Sequence, residues 1–211
     1  MADMNRDDVV IIDKIQAFKS YVRVNIYQLK HKLFDGGQSA EISREVIDRG
    51  HAAAALLYDP DLNLLVLIEQ FRSGAFAAMT SKLIPTNESP WLIECVAGII
   101  EDGESPEEVI RREAVEEADC VIQELVPLFH YYSSPGCMSE SVFLFCGRVD
   151  ASKAGGIHGL DGEGEDIRVF TATPEEAFDW VATGRINNGM TVIALQWLQQ
   201  NQESLSRKWL N

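Results

Sequence analysis

The 211-residue chain is short of positive charge: 18 Lys and Arg stand against 33 Asp and Glu, for a formal net charge of −15 at pH 7 and a pI near 4.6. A field of that sign repels polyanions, so binding to a nucleic-acid backbone or an anionic membrane surface is disfavoured. Clusters of Lys and Arg that would override the average are also missing. Long apolar runs are absent too. The best, Leu62 to Ile68, is interrupted by Asn63 and is strand-sized, against the roughly 18 residues that a membrane span needs. Met1 to Ile12 carries three Asp and one Arg ahead of a short apolar patch, the wrong charge order for a signal peptide, so a cytoplasmic protein is expected. Cysteine is sparse. Cys95, Cys120, Cys137 and Cys146 form no C-x-x-C pair, which indicates neither a zinc site nor a disulfide framework and leaves reduced, mostly buried thiols. There is no internal repeat and no low-complexity tract.

What is present is an ordinary globular composition, 46% hydrophobic and 24% charged, at a length that suits one core domain plus a modest extra element. The first 50 residues read as short strands, with Ser20 to Lys30 and Ile42 to Ile47 alternating around a turn at Asp35-Gly36-Gly37. From His51 the texture changes to two apolar runs, Ala52 to Tyr58 and Leu62 to Gln70, joined by Asp59-Pro60-Asp61 as a hairpin. A polar, Pro-containing segment from Ser73 to Pro90 is long for a connection and reads as a functional loop or a local turn of helix. Then follow a strand (Trp91 to Ile100), a helix (Pro106 to Ala118), two strands (Leu125 to Tyr132, Ser141 to Val149) and an acidic glycine-rich loop (Gly155 to Asp166). A strand (Ile167 to Ala172) and two helices (Pro174 to Thr183, Met190 to Gln200) close the chain. Strands and helices without strict βαβ alternation predict an α+β fold, an α/β/α sandwich with a small β-rich N-terminal domain divided at 1–50 and 51–211.

The chemistry is concentrated on the helix from Pro106. Ser105 can cap it, Pro106 suits its first position, and Glu108 completes an S-x-x-E capping box, so the register is secure. At about 100° per residue, Glu113, Glu116 and Glu117 share an arc of roughly 100°, beside an apolar stripe of Ile110, Ala114 and Ala118. Such a face is commonly just solvated. Like charges at this spacing still repel by a few tenths of a kcal/mol per pair, which Arg112 offsets only in part and a divalent cation would remove.

The surrounding frame sharpens this. Gly98, five residues, Glu104, seven residues, then Arg112-Glu113, Ala114, Val115 and Glu116-Glu117 resembles the Nudix hydrolase pattern G-x5-E-x7-R-E-U-x-E-E-x-G-U, where U is a bulky aliphatic residue. Three positions depart from it: Ala114 is small, Asp119 replaces the closing glycine, and Cys120 is weakly aliphatic. Asp tolerates the left-handed conformation needed at a helix end better than most residues. The resemblance extends from about Tyr21 to the C-terminus and is to the ADP-ribose pyrophosphatase branch, bacterial homodimeric type. Pro135 in Ser134-Pro135-Gly136 sits fifteen residues beyond Cys120, the spacing that marks that branch. Arg49-Gly50-His51-Ala52-Ala53, Glu69-Gln70-Phe71-Arg72 and Glu163-Gly164-Glu165-Asp166-Ile167-Arg168 are likewise of its kind.

The resemblance implies a metal-dependent pyrophosphohydrolase converting ADP-ribose to AMP and ribose 5-phosphate, with Mg²⁺, or Mn²⁺, as two or more ions per site. It implies Glu113, Glu117, the Ala97 carbonyl and Glu165 as metal ligands, and Glu163 as the base that deprotonates water. The roles of Glu163 and Glu165 are exchangeable, and Glu116 is a second candidate base near the cluster. Glu104 and Arg112 would tie loop to helix. Arg72 would clamp a phosphate, the Ser134 loop would meet substrate, and Tyr21 and Arg44 would hold the adenine from the two subunits of a homodimer. Without the resemblance Tyr21, Arg44 and Arg72 would be unremarkable positions, and the acidic loop a solvated turn. The alternatives are a hydrolase of another nucleoside diphosphosugar such as GDP-mannose, and a non-catalytic metabolite-sensing module. The sensor would be expected to lose the helix carboxylates or gain a DNA-binding domain. RNA decapping would need a basic patch.

Overall fold

The computed structural model describes residues 4–85, 87–160, 162 and 164–210, in two units. One unit comprises the chain up to His51 together with Tyr132–Ser141. Its frame is an antiparallel meander of β1 (Val9–Lys19), β2 (Arg23–His31) and β3 (Ile42–Asp48). The alternation predicted from Ser20 starts at Arg23, because Ser20 to Val22 form the turn from β1. β1 is longer than the sequence suggested. Every one of its residues is exposed, Val9, Ile11, Ile12, Ile15 and Phe18 included, so no buried face imposes an alternating pattern. The segment 132–141 docks on the end of β3: Ile47 N donates to Cys137 O (2.8 Å) and Ser139 N to Ile47 O (3.0 Å). Arg49 pairs with Glu140 at 3.3 Å, and the His51 ring meets the Ser141 hydroxyl at 2.9 Å.

The other unit, Ala52–Tyr131 with Val142–Asn211, is built on β4 (Ala52–Asp59), whose eight residues are all buried. Alternate side chains of β4 enter two cores. Ala52, Ala54, Leu56 and Tyr58 pack towards α3 (Pro174–Ala182) and α4 (Gly189–Leu210), while Ala53, Ala55 and Leu57 pack towards α2 (Pro106–Ala118). Helices therefore cover both faces of a mixed sheet, an α/β/α sandwich within the α+β class. The strand order is β10 (Gly156–His158), β11 (Ile167–Ala172), β5 (Leu64–Phe71), β4, β9 (Ser141–Arg148) and β8 (Glu124–Tyr132); β4 and β9 run parallel.

The hairpin of β4 and β5 pairs only next to its turn, over Leu57–Asp59 against Val66–Leu64, and then forks. Two short strands fill the fork: β6 (Trp91–Glu94) on β5 and β7 (Val96–Ile99) on β4. The single strand expected over Trp91 to Ile100 is thus two, broken at Cys95 where the chain changes neighbours. Between β5 and β6 lies the short helix α1 (Ser73–Ala78). Three thiols, Cys95, Cys120 and Cys146, are buried, Cys137 is exposed, and all four are free.

Candidate active site

α2 begins and ends where its sequence predicts. Ser105 accepts from Glu108 N, and the Glu108 carboxylate accepts from Ser105 N (2.8 Å), so the capping box is complete. At the other end Asp119 is left-handed (φ 50°, ψ 35°), taking the conformation for which the family pattern uses glycine. Val109, Ile110, Ala114 and Ala118 are buried against the sheet, which orients the acidic face. Glu117 falls inside that buried stripe and is 3% exposed. Its Oε2 accepts from Ala97 N at 2.9 Å, which ties α2 to β7.

Glu113 lies one turn earlier, across Gly98. A Cβ on Gly98 would overlap the Glu113 side chain, so only glycine lets this carboxylate lie on the strand. Arg112 donates through Nη1 to Glu113 Oε1 and Glu116 Oε2, each at 2.8 Å, and its Nε lies 3.4 Å from Glu104 Oε1. Glu104 also accepts from Glu101 N (3.1 Å), so Glu104 and Arg112 do bind the preceding loop to the helix. Burial pushes the Glu113 carboxyl up to about 7, with Arg112 opposing and Glu116 and Glu165 adding to the rise. Burial likewise pushes Glu117 up to about 8; the Ala97 N–H and Arg72 lower it, while Glu113 and Glu165 raise it further. Glu165 is therefore within electrostatic reach of both. Its Oε2 accepts from Leu160 N at 3.2 Å, beside Gly159 (φ 102°), where a Cβ would come within 2.7 Å of the Glu165 Cβ. Glu163 lies outside the described residues.

The set of donors is all oxygen, negatively charged and backed by an apolar core, which fits a hard divalent cation such as Mg²⁺ or Mn²⁺. Among the described residues no three acids enclose a common point as they stand. Glu113 and Glu117 lie one turn apart on α2, and Glu165 acts electrostatically on both. Glu116 shares Arg112 Nη1 with Glu113.

Arg72, just beyond β5, sends its Nε to Glu94 Oε2 at 2.7 Å. Glu94 is 1% exposed, and the Asn188 amide donates to its other oxygen. Two residues before Arg72, Gln70 is buried with its Nε2 unpartnered among the described residues. Sequence reasoning passed over Glu94 and Asn188. The signal for Glu94 was available: it is the one charged residue in the run Trp91 to Ile100, and charged groups are almost never fully buried unless paired.

The other expected substrate residues belong to the N-terminal unit. Tyr21 is 77% exposed in the turn between β1 and β2, and Arg44 lies on β3, its Nη1 donating to Ser43 O (2.7 Å). The register sets Arg44 opposite Tyr27 and Arg23 opposite Asp48. Tyr21 and Arg44 are thus separated along the ladder by some six positions, roughly 20 Å at the usual strand rise, and one chain does not bring them together. Ser134 is exposed in a turn, where its carbonyl accepts from Cys137 N (3.1 Å) and Met138 N (2.8 Å).

Comparison with known proteins finds relatives that match nearly the whole chain. The chain is 44% identical over 204 residues to the ADP-ribose pyrophosphatase of Escherichia coli K12, covering 97% of this chain and 94% of that protein. It is 38% identical over 192 residues to the GDP-mannose pyrophosphatase of an Enterobacter species, covering 90% and 94%. Among solved structures, an ADP compounds hydrolase superposes with a TM-score of 0.66 at 19% identity, over 92% of this chain and 96% of that one, a likeness of fold. A model of the NUDIX domain matches residues 48–188, and with these relatives it establishes that the chain belongs to the NUDIX family.

Proposed function

We propose that the protein is a metal-dependent pyrophosphohydrolase of the cytoplasm that splits ADP-ribose into AMP and ribose 5-phosphate. The observation that carries this reading is the burial of Glu117 beside Glu113 on a capped helix, because buried carboxylates are paired or coordinate a metal and a divalent cation would balance both. ADP-ribose is favoured because the more similar of the two relatives is named for it, at 44% against 38% identity. The second reading, GDP-mannose, is supported by the other relative.

Glu113, Glu117, Glu165 and the Ala97 carbonyl would hold the ions. Bound there, Mg²⁺ or Mn²⁺ supplies charge neutralisation at the pyrophosphate oxygens and a water of lowered pKa. Arg72 orients a phosphate through its guanidinium. Glu163 takes the proton of the attacking water, with Glu116 as the alternative base; a position on a loop suits a base needed only once substrate is in place. Tyr21 and Arg44 hold the adenine, one from each subunit of a homodimer, and the Ser134 loop meets the rest of the nucleotide. The separation of Tyr21 from Arg44 along the sheet and the exposed apolar residues of β1 support a shared adenine site.

The test is a substrate panel with product identification, run with Mg²⁺ and with Mn²⁺. Release of AMP and ribose 5-phosphate from ADP-ribose, abolished by chelator, is expected. Intact ADP-ribose beside cleaved GDP-mannose would establish the second reading instead, and no cleavage of any nucleoside diphosphosugar would leave the sensing module.

A further inference from the structure

We infer that Glu94 and Asn188 are positioning residues that aim Arg72 at the pyrophosphate. This rests on the reading of Arg72 as a phosphate contact. The inference comes from how the two oxygens of one buried carboxylate are shared. Oε2 accepts from Arg72 Nε at 2.7 Å, and Oε1 accepts from the Asn188 amide. A guanidinium beside a free carboxylate ordinarily pairs through two parallel hydrogen bonds. Here Asn188 occupies the second oxygen, so Glu94 holds Arg72 at Nε and leaves the Nη groups for another partner. Those Nη groups present the fork that matches a phosphate.

Every part of the relay is fixed from behind. Arg72 N donates to Pro90 O (2.8 Å), and Glu94 sits opposite Ile68 in the β5–β6 ladder. Asn188 caps α4: its Oδ1 accepts from Thr191 N (3.3 Å) while its carbonyl accepts from Val192 N (3.0 Å). Thr191, fully buried, accepts from Cys95 N at 3.0 Å. The first turn of α4 therefore grips two successive residues of the strand break, Glu94 with Asn188 and Cys95 with Thr191. No charge on Glu94 is needed merely to hold the sheet, since its backbone pairing does that.

The test is a double-mutant cycle on ADP-ribose hydrolysis with Mg²⁺, using Arg72→Ala, Glu94→Gln, Asn188→Asp and the two combinations with Arg72→Ala. Asn188→Asp keeps the oxygen that caps α4 and removes the donor to Glu94, so it tests the relay even if Glu94→Gln fails to fold. Arg72→Ala is expected to lower kcat/KM by about a hundredfold or more. Each relay variant should lower it by about tenfold or more, as supporting residues do, and should lower it no further once Arg72 is Ala. An equal loss in both backgrounds would make Glu94 and Asn188 structural, and no loss in the wild-type background would leave them idle; either overturns the inference while Arg72 stands. Normal turnover by Arg72→Ala would instead remove Arg72 from the site, and the inference with it.

Discussion

Burial raises the carboxyls of Glu117 and Glu113 to about 8 and about 7, from the usual 4.5 of an exposed glutamate. The unfolded chain ionises them first, so across that interval the folded protein holds protons that the unfolded one has released. Stability of the metal-free protein therefore falls as pH rises from about 4.5 through 8. An ion bound at Glu113 and Glu117 as proposed would displace the same protons, so affinity for Mg²⁺ should strengthen over the same range. Glu117→Gln removes the group with the larger rise. In chelator its melting temperature should depend less on pH than that of the wild type, while turnover with Mg²⁺ falls by about a hundredfold or more. A wild-type melting temperature that does not fall between about pH 5 and about pH 8.5 in chelator would contradict this. Residue types and spacing were legible at this scale: the carboxylates, Arg112 and Gly98 stand in a fixed frame. The partnership of Glu94 with Arg72 was not, because 22 positions separate them and nothing local in the sequence encodes a contact made by folding.

α2 ends on a non-glycine residue with positive φ, a conformation that costs an L-residue about 1 kcal/mol. Asp119 also places a negative charge at the negative end of the helix dipole. Asp119→Gly should therefore raise unfolding free energy by about 0.5–1 kcal/mol with kcat unchanged, read from urea unfolding and steady-state kinetics; a destabilised variant would mean that Asp119 serves another purpose. Both bounds of α2 could be read from sequence, since a capping box and an αL-tolerant residue mark its ends. α4 was expected over Met190 to Gln200 and runs Gly189–Leu210. Beyond Gln200 the chain is mostly polar and, among the described residues, only Leu205 and Trp209 are buried, a stripe too sparse to read as periodic. The break at Cys95 left no trace, because a continuous apolar run looks the same whether one neighbour or two receive it.

For the molecule as a whole, β1 is the outlier. A chain of otherwise ordinary composition presents Val9, Val10, Ile11, Ile12, Ile15 and Phe18 to solvent on an outer strand, where an unpaired edge invites another chain. Static light scattering at micromolar concentration should give twice the 23.5 kDa of one chain, and Tyr21→Ala should raise KM for ADP-ribose without changing that mass. A monomer would remove both the dimer and the shared adenine site. The sequence divided the chain at residue 50 but assigned 132–141 to the larger part, whereas those residues join the N-terminal unit through Ile47 and Arg49. Bonds spanning some ninety residues carry no local signature.

The strand break at Cys95 also bears on how such an enzyme can change. Glu94, which holds Arg72, and Ala97, which meets Glu117, are three positions apart with no slack between them. An insertion there would shift the strand that holds Arg72 against the strand that meets Glu117, and so displace the proposed phosphate contact and the proposed seat of the cation together.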